Sequence, residues 1–198
     1  MRFDVVTLFP EIFSAVRDCG ITARARMRGL WSMNCWNPRD TATDLHRTID
    51  DRPFGGGPGM VMMAEPLAQT IDAVRASGNR GPILSFAPNG ARLTDARVRE
   101  IAAAKEPIVL VCGRYEGIDE RFLESYVDEV VSLGDFVLSG GELPACALID
   151  AVVRQLPGAI KDLSASDESF ATGLVRSRGL GDVYKRQSRG NQGPFGFG

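Results

Sequence analysis

Pro107-Ile108-Val109-Leu110-Val111-Cys112-Gly113-Arg114-Tyr115-Glu116-Gly117-Ile118 passes from an unbroken apolar run directly into a charged loop punctuated by glycine. A run without polar alternation suits a strand covered on both faces, as in a parallel sheet. The spacing after it predicts a helix over Ile118–Tyr126, then a further strand over Glu129–Leu133. A second glycine-rich loop follows, Leu133-Gly134-Asp135-Phe136-Val137-Leu138-Ser139-Gly140-Gly141-Glu142. Strand, loop and helix in repeated alternation imply an α/β domain built on a mainly parallel sheet.

Working outward, Glu142–Leu156 carries the strongest helical pattern. Leu148, Ile149, Val152, Val153 and Leu156 form one apolar stripe, Pro144 sits in the first turn, and Gly158 follows the end. Upstream, Thr94 reads as the N-cap of a helix reaching Ala104. Pro82–Phe86 reads as a short strand, and Ala64–Ala76 as an amphipathic helix through Leu67, Ile71 and Val74. Phe3–Leu8 and Leu30–Trp36 read as strands, with Pro10 opening a short helix through Val16. Between Asn37 and Gly59 the chain is polar and rich in glycine and proline, so a long functional loop is expected there.

The 198 residues suffice for one well-buried domain. A net charge of −2 excludes a global basic field and leaves nucleic-acid binding to local patches. Cys19, Cys35, Cys112 and Cys146 are scattered and accompanied by a single histidine, His46, so no zinc site is expected. No signal peptide or membrane-length apolar run is evident, which points to a cytoplasmic protein without membrane contact. The Val175–Gly198 tail holds six glycines and five Arg or Lys with little core-forming material, so disorder is expected.

Three segments concentrate glycine beside charge: Asp50–Met60, Cys112–Arg121 and Leu133–Pro144. None spells a phosphate-binding P-loop or a dinucleotide fingerprint. Each alone could be a tight turn. Two of them, however, lie beyond the ends of strands expected to be neighbours, the edge at which open α/β sheets bind ligands. Glycine there lets main-chain groups approach a ligand closely, and an adenosine-type ligand held by Leu133–Leu138 with Gly113 beside it fits this pattern.

At Asp50–Met60, Gly113–Arg121 and Gly134–Pro144 the chain resembles the bacterial tRNA (guanine-N1)-methyltransferases of the SPOUT superfamily. Thr7-Leu8-Phe9-Pro10-Glu11-Ile12-Phe13, Cys35-Trp36-Asn37-Pro38-Arg39-Asp40 and Leu148-Ile149-Asp150-Ala151-Val152-Val153-Arg154 also match. The likeness covers about Met1 to Leu174. It implies a SPOUT-type α/β domain over 1–160 whose C-terminal part threads a trefoil knot. A linker and catalytic loop would follow over 161–174, and an atypical tail over 175–198 would replace the family's C-terminal domain.

The same resemblance implies a homodimer acting on tRNA, with each active site built between subunits. S-adenosylmethionine would lie against Pro88, Gly113, Leu133, Gly134, Asp135, Phe136, Val137, Leu138, Gly140 and Gly141. Asp50, Arg52, Gly55, Gly56, Gly57, Arg114 and Glu116 would meet the substrate. Arg154 would assist catalysis. The family's general base is an aspartate before Ser-Phe; aligning on Ser169-Phe170 puts Glu168 there, with Asp167 the alternative. Mg2+ is compatible with the family, though no ligand cluster in the sequence places it. The implied reaction is methyl transfer to N1 of the guanine 3′ of the anticodon, position 37. A dimeric module that binds S-adenosylmethionine or RNA with weak catalysis is the alternative.

Overall fold

The computed structural model describes residues 1–160 other than 43 and 54, and these belong to one compact unit, Met1–Ile160. In chain order, β1 (Arg2–Val6) leads into a 3₁₀ turn (Pro10–Phe13), α1 (Ser14–Arg17), α2 (Gly20–Met27) and β2 (Ser32–Trp36). A 3₁₀ turn at Pro38–Asp40 precedes β3 (Asp50–Asp51) and β4 (Val61–Met62). Then come α3 (Ala64–Ala76), β5 (Ile83–Arg92), α4 (Asp95–Ala104), β6 (Ile108–Val111), α5 (Glu120–Tyr126), β7 (Glu129–Ser132) and α6 (Glu142–Gln155).

Five strands form a wholly parallel sheet in the order β2-β1-β6-β5-β7. The apolar run recognised in the sequence is β6, buried at every position near the centre of that sheet. Its alternate residues feed two different cores, because successive side chains on a strand point to opposite faces. Ile108 and Leu110 join Phe3, Val5 and Leu84 beneath α4 and α6, whereas Val109 and Val111 join Val6 and Ile83 beneath α3 and α5. The stripe on α6 is fully used: Leu148, Ile149, Val152 and Val153 are all buried, each contributing about 1.5–3 kcal/mol. Thr94 caps α4 by accepting from the Arg97 amide, as its position predicts.

The structure departs from the sequence reading in four places. Gly20–Met27 is helical, although its arginine-rich, weakly amphipathic sequence gave no such signal. The short helix after Pro10 begins as a 3₁₀ turn. β5 runs on to Arg92, with a register shift between Phe86 and Ala91 that re-pairs the chain with β7. Finally, the two glycine-rich loops beyond β6 and β7 do not leave neighbouring strands, since β5 lies between them. Among the described residues, no helix is long and apolar enough to cross a membrane.

Buried Asp4 shows how the sheet tolerates charge. Its carboxylate meets Arg2 Nε at 2.7 Å and accepts from the side chains of Asn34, Trp36 and Asn79. Burial pushes its pKa up, but the bonds from Arg2, Asn79, Trp36 and Asn34 prevail and hold it below the ordinary carboxylate range.

Candidate functional site

Beyond the carboxyl ends of β6 and β7, against the middle of β5, lies a pocket of about 320 Å³. Ser85–Pro88 of β5 form its floor, Gly113–Ile118 one wall, and the chain from Val130 through Gly141 another. Its position is the one that a parallel sheet offers to ligands, and its size lies at the lower end for small-molecule sites.

The walls approach so closely that only glycine fits. The Gly141 amide donates to the Gly113 carbonyl at 2.9 Å, joining the loop after β7 to the loop after β6. A Cβ on Gly141 would lie 2.7 Å from Cys112 Cα and 3.0 Å from the Gly113 nitrogen. The Gly134 amide and the Ser132 hydroxyl fold the start of the β7 loop back on itself, while Phe136, Val137 and Leu138 leave their side chains exposed. All the residues expected to hold a nucleoside line this pocket except Asp135.

Arg114 and Glu116 also line it. Arg114 Nε lies 2.9 Å from Glu142 Oε2, its Nη1 donates to the Ser139 carbonyl at 3.1 Å, and its guanidinium carbon sits 4.5 Å from the centre of the Phe9 ring. Glu142 is only 1% exposed, and the Thr7 hydroxyl donates to its other oxygen at 3.0 Å. Thr7, Phe9 and Glu142 were absent from the expected site. No local pattern could have supplied them, since Thr7 and Glu142 are 135 residues apart.

Asp50, Arg52, Gly55, Gly56 and Gly57 do not line the pocket, but their segment is fastened to its rim. β3 and β4 form a two-stranded antiparallel sheet. The Glu116 amide donates to Met60 O, the Met62 amide to Gly117 O, and the Asp119 amide to Met62 O, each at 2.9 Å. Gly59, at φ +85°, lies flat against Glu116; a Cβ there would fall 2.3 Å from Glu116 Cγ. Tyr115 adopts φ +59° and receives a bond from Arg39 Nη2 at 3.4 Å. Its hydroxyl pKa is raised by burial first and then by the charge of Asp50, against the opposing pull of Arg39. Arg39 falls within a stretch that matched the family, although its part here was not anticipated.

Arg154 stands in the last turn of α6, half-buried and outside the pocket lining. Twelve residues separate it from Glu142, about 18 Å along a helix rising 1.5 Å per residue. Glu168 and Asp167 lie outside the described residues. His46 is exposed, whereas Cys112 is buried and its thiol pKa is pushed well up, by burial above all. Among the described residues, no group of three or more His, Cys, Asp or Glu could hold a metal ion.

The family model described as tRNA (Guanine-1)-methyltransferase TrmD matches residues 1–186, extending past Leu174 into the segment expected to be unrelated. A tRNA (guanine-N(1)-)-methyltransferase of Thiobacillus denitrificans is 59% identical over 180 residues, 88% of this chain and 76% of that protein. One of Pseudomonas syringae pv. tomato is 55% identical over 177 residues, 88% of this chain and 70% of that protein. The crystal structure of tRNA (m1G37) methyltransferase from Aquifex aeolicus superposes with a TM-score of 0.75 at 35% identity, covering 96% of this chain and 89% of that one.

Proposed function

Because the chain belongs to the tRNA (guanine-1)-methyltransferase family and is a tRNA (guanine-N1)-methyltransferase, we propose that its pocket at the ends of β6 and β7 binds S-adenosylmethionine for methyl transfer to the guanine at position 37. The observation that carries this reading is the close approach of Gly113 and Gly141. The wall there consists of main chain rather than side chain, as recognition of an adenosine group by amides and carbonyls requires. Gly113, Gly140, Gly141 and Leu133–Leu138 would hold the donor, with Pro88 on the floor and Asp135 at the loop's outer side.

When bound, S-adenosylmethionine supplies a methyl carbon made electrophilic by its sulfonium. The chain must prepare the acceptor. Guanine N1 carries a proton that must leave before the nitrogen can attack, and a carboxylate within hydrogen-bond reach serves as general base. Glu168 takes that role, with Asp167 as the alternative. Arg154 offsets the negative charge that develops on guanine O6. Asp50, Arg52 and the glycines 55–57 approach the tRNA from the segment anchored at Glu116, and Arg114 and Glu116 border the reacting groups. Holding both reactants in line supplies much of the remaining acceleration.

The distance along α6 from Glu142 to Arg154 favours an active site completed by a second protomer, hence a homodimer. The trefoil knot is supported by the return of the β7 loop to Cys112–Gly113. Mg2+, if it assists, would be held by few protein carboxylates and complete its shell with water or the tRNA. A cytoplasmic location follows from tRNA as substrate.

Incubation with methyl-labelled donor and tRNA transcripts bearing guanine or adenine at position 37 tests the proposal. Label confined to the guanine transcript is expected. Incorporation indifferent to that base would reassign the target, and binding without incorporation would favour the weakly catalytic module.

A further inference from the structure

We propose that Glu142 adapts this pocket to a positively charged methyl donor by cancelling the charge of Arg114. The inference rests on the reading of the pocket as the S-adenosylmethionine site and concerns how its wall accommodates the donor's positive charge.

Among the described residues lining the pocket, Arg114 is the only lysine or arginine, while Glu116 and Glu120 are carboxylates. An uncompensated guanidinium in the wall would repel a cationic ligand, and low-dielectric surroundings would strengthen the repulsion. Glu142 answers that charge from behind the wall. It is 1% exposed and sits in the first turn of α6, where a carboxylate is favoured by the helix dipole. Nε and Oε2 approach to 2.9 Å without hydrogen-bond alignment, so the pair is held by charge rather than by a directed bond.

The surrounding contacts fix the pair in this arrangement. The Thr7 hydroxyl accepts from the Phe9 amide at 3.0 Å, which leaves its proton to donate to Glu142 Oε1. Phe9 stacks under the guanidinium and Ser139 O accepts from it. Gly140 leaves the necessary space, since a Cβ there would lie 2.5 Å from Arg114 Nε. A buried ion pair is a poor way to gain stability, because desolvation offsets the attraction. Neutralising Arg114 in the wall gives the pair a function that apolar packing would lack.

Calorimetric titration of wild type, Glu142→Gln and Arg114→Gln/Glu142→Gln with S-adenosylmethionine and S-adenosylhomocysteine tests this. The two ligands differ in the charge on sulfur, and the ratio of their Kd values in one preparation does not depend on the fraction folded. Glu142→Gln is expected to weaken S-adenosylmethionine about tenfold more than S-adenosylhomocysteine. The double variant, lacking both charges, should return the ratio to within about twofold of wild type. Equal weakening of both ligands by Glu142→Gln would overturn the proposal and leave Glu142 a purely structural partner. Failure of wild type to bind either ligand would overturn the reading of the pocket as well.

Discussion

The main-chain amide of Gly141 and the carbonyl of Gly113 meet at 2.9 Å, so loops leaving two strands that flank β5 are joined to each other. At Gly141 the atoms facing an added Cβ belong to backbone, which cannot swing aside. Gly141→Ala is therefore expected to cost about 1–3 kcal/mol in chemical denaturation and to abolish donor binding. Gly140→Ala meets side chains instead, Arg114 Nε at 2.5 Å and Glu142 Oε2 at 2.7 Å. It should disturb that ion pair and bind the donor more weakly. Donor binding by Gly141→Ala at wild-type affinity would show that this contact does not shape the pocket.

The sequence revealed those elements whose patterns are local. β6 showed itself by six apolar residues in succession, and α6 by a stripe matching the helical repeat. α2 stayed hidden because Arg24 and Arg26 interrupt its face, and only Thr22 and Ala25 are buried. The continuation of β5 past Pro88-Asn89-Gly90 depends on renewed pairing with β7, which no property of that tripeptide announces. In the site, glycines were legible because close approach demands them wherever it occurs. Arg39, Tyr115, Thr7 and Glu142 gain their surroundings only when distant segments meet, so residue type and spacing could not single them out.

The proposed role of Glu168 as general base, with Asp167 as the alternative, is tested by single-turnover kinetics. Glu168→Gln is expected to lower the methyl-transfer rate by roughly 10²–10⁴, the usual contribution of a positioned base. Asp167→Asn should remain within about threefold of wild type, as a charge in solvent would. Reversal of the two effects would assign the role to Asp167.

Asp4 should make the fold sensitive to acid. Its folded pKa lies below the ordinary value of 3.8, so the unfolded chain binds the proton more readily. The stabilisation is thus fully present above that ordinary value and is lost as pH falls through the lower, folded one. Asp4→Asn leaves the donors of Arg2 and its neighbours poorly matched and should cost about 1–3 kcal/mol at neutral pH. Urea titrations at pH 7 and pH 3 should show the gap between wild type and variant narrowing in acid. A constant gap would mean that the loss comes from packing rather than charge.

Gly59 and Gly56 allow the backbone contribution of the β3–β4 segment to be separated from its contact with the pocket. Both residues have positive φ, +85° and +84°, so alanine at either position carries a similar conformational cost of about 1 kcal/mol. Their surroundings differ. A Cβ on Gly56 meets nothing within 4 Å, whereas on Gly59 it would fall 2.3 Å from Glu116 Cγ. Glu116 can move because its side chain is flexible, but only by leaving its place in the pocket wall. The two variants should therefore lose comparable stability in thermal denaturation, while only Gly59→Ala raises the donor Kd. If Gly56→Ala weakened the donor as much, the effect would travel through general loosening of the segment, and Glu116 would not be the link between the two loops.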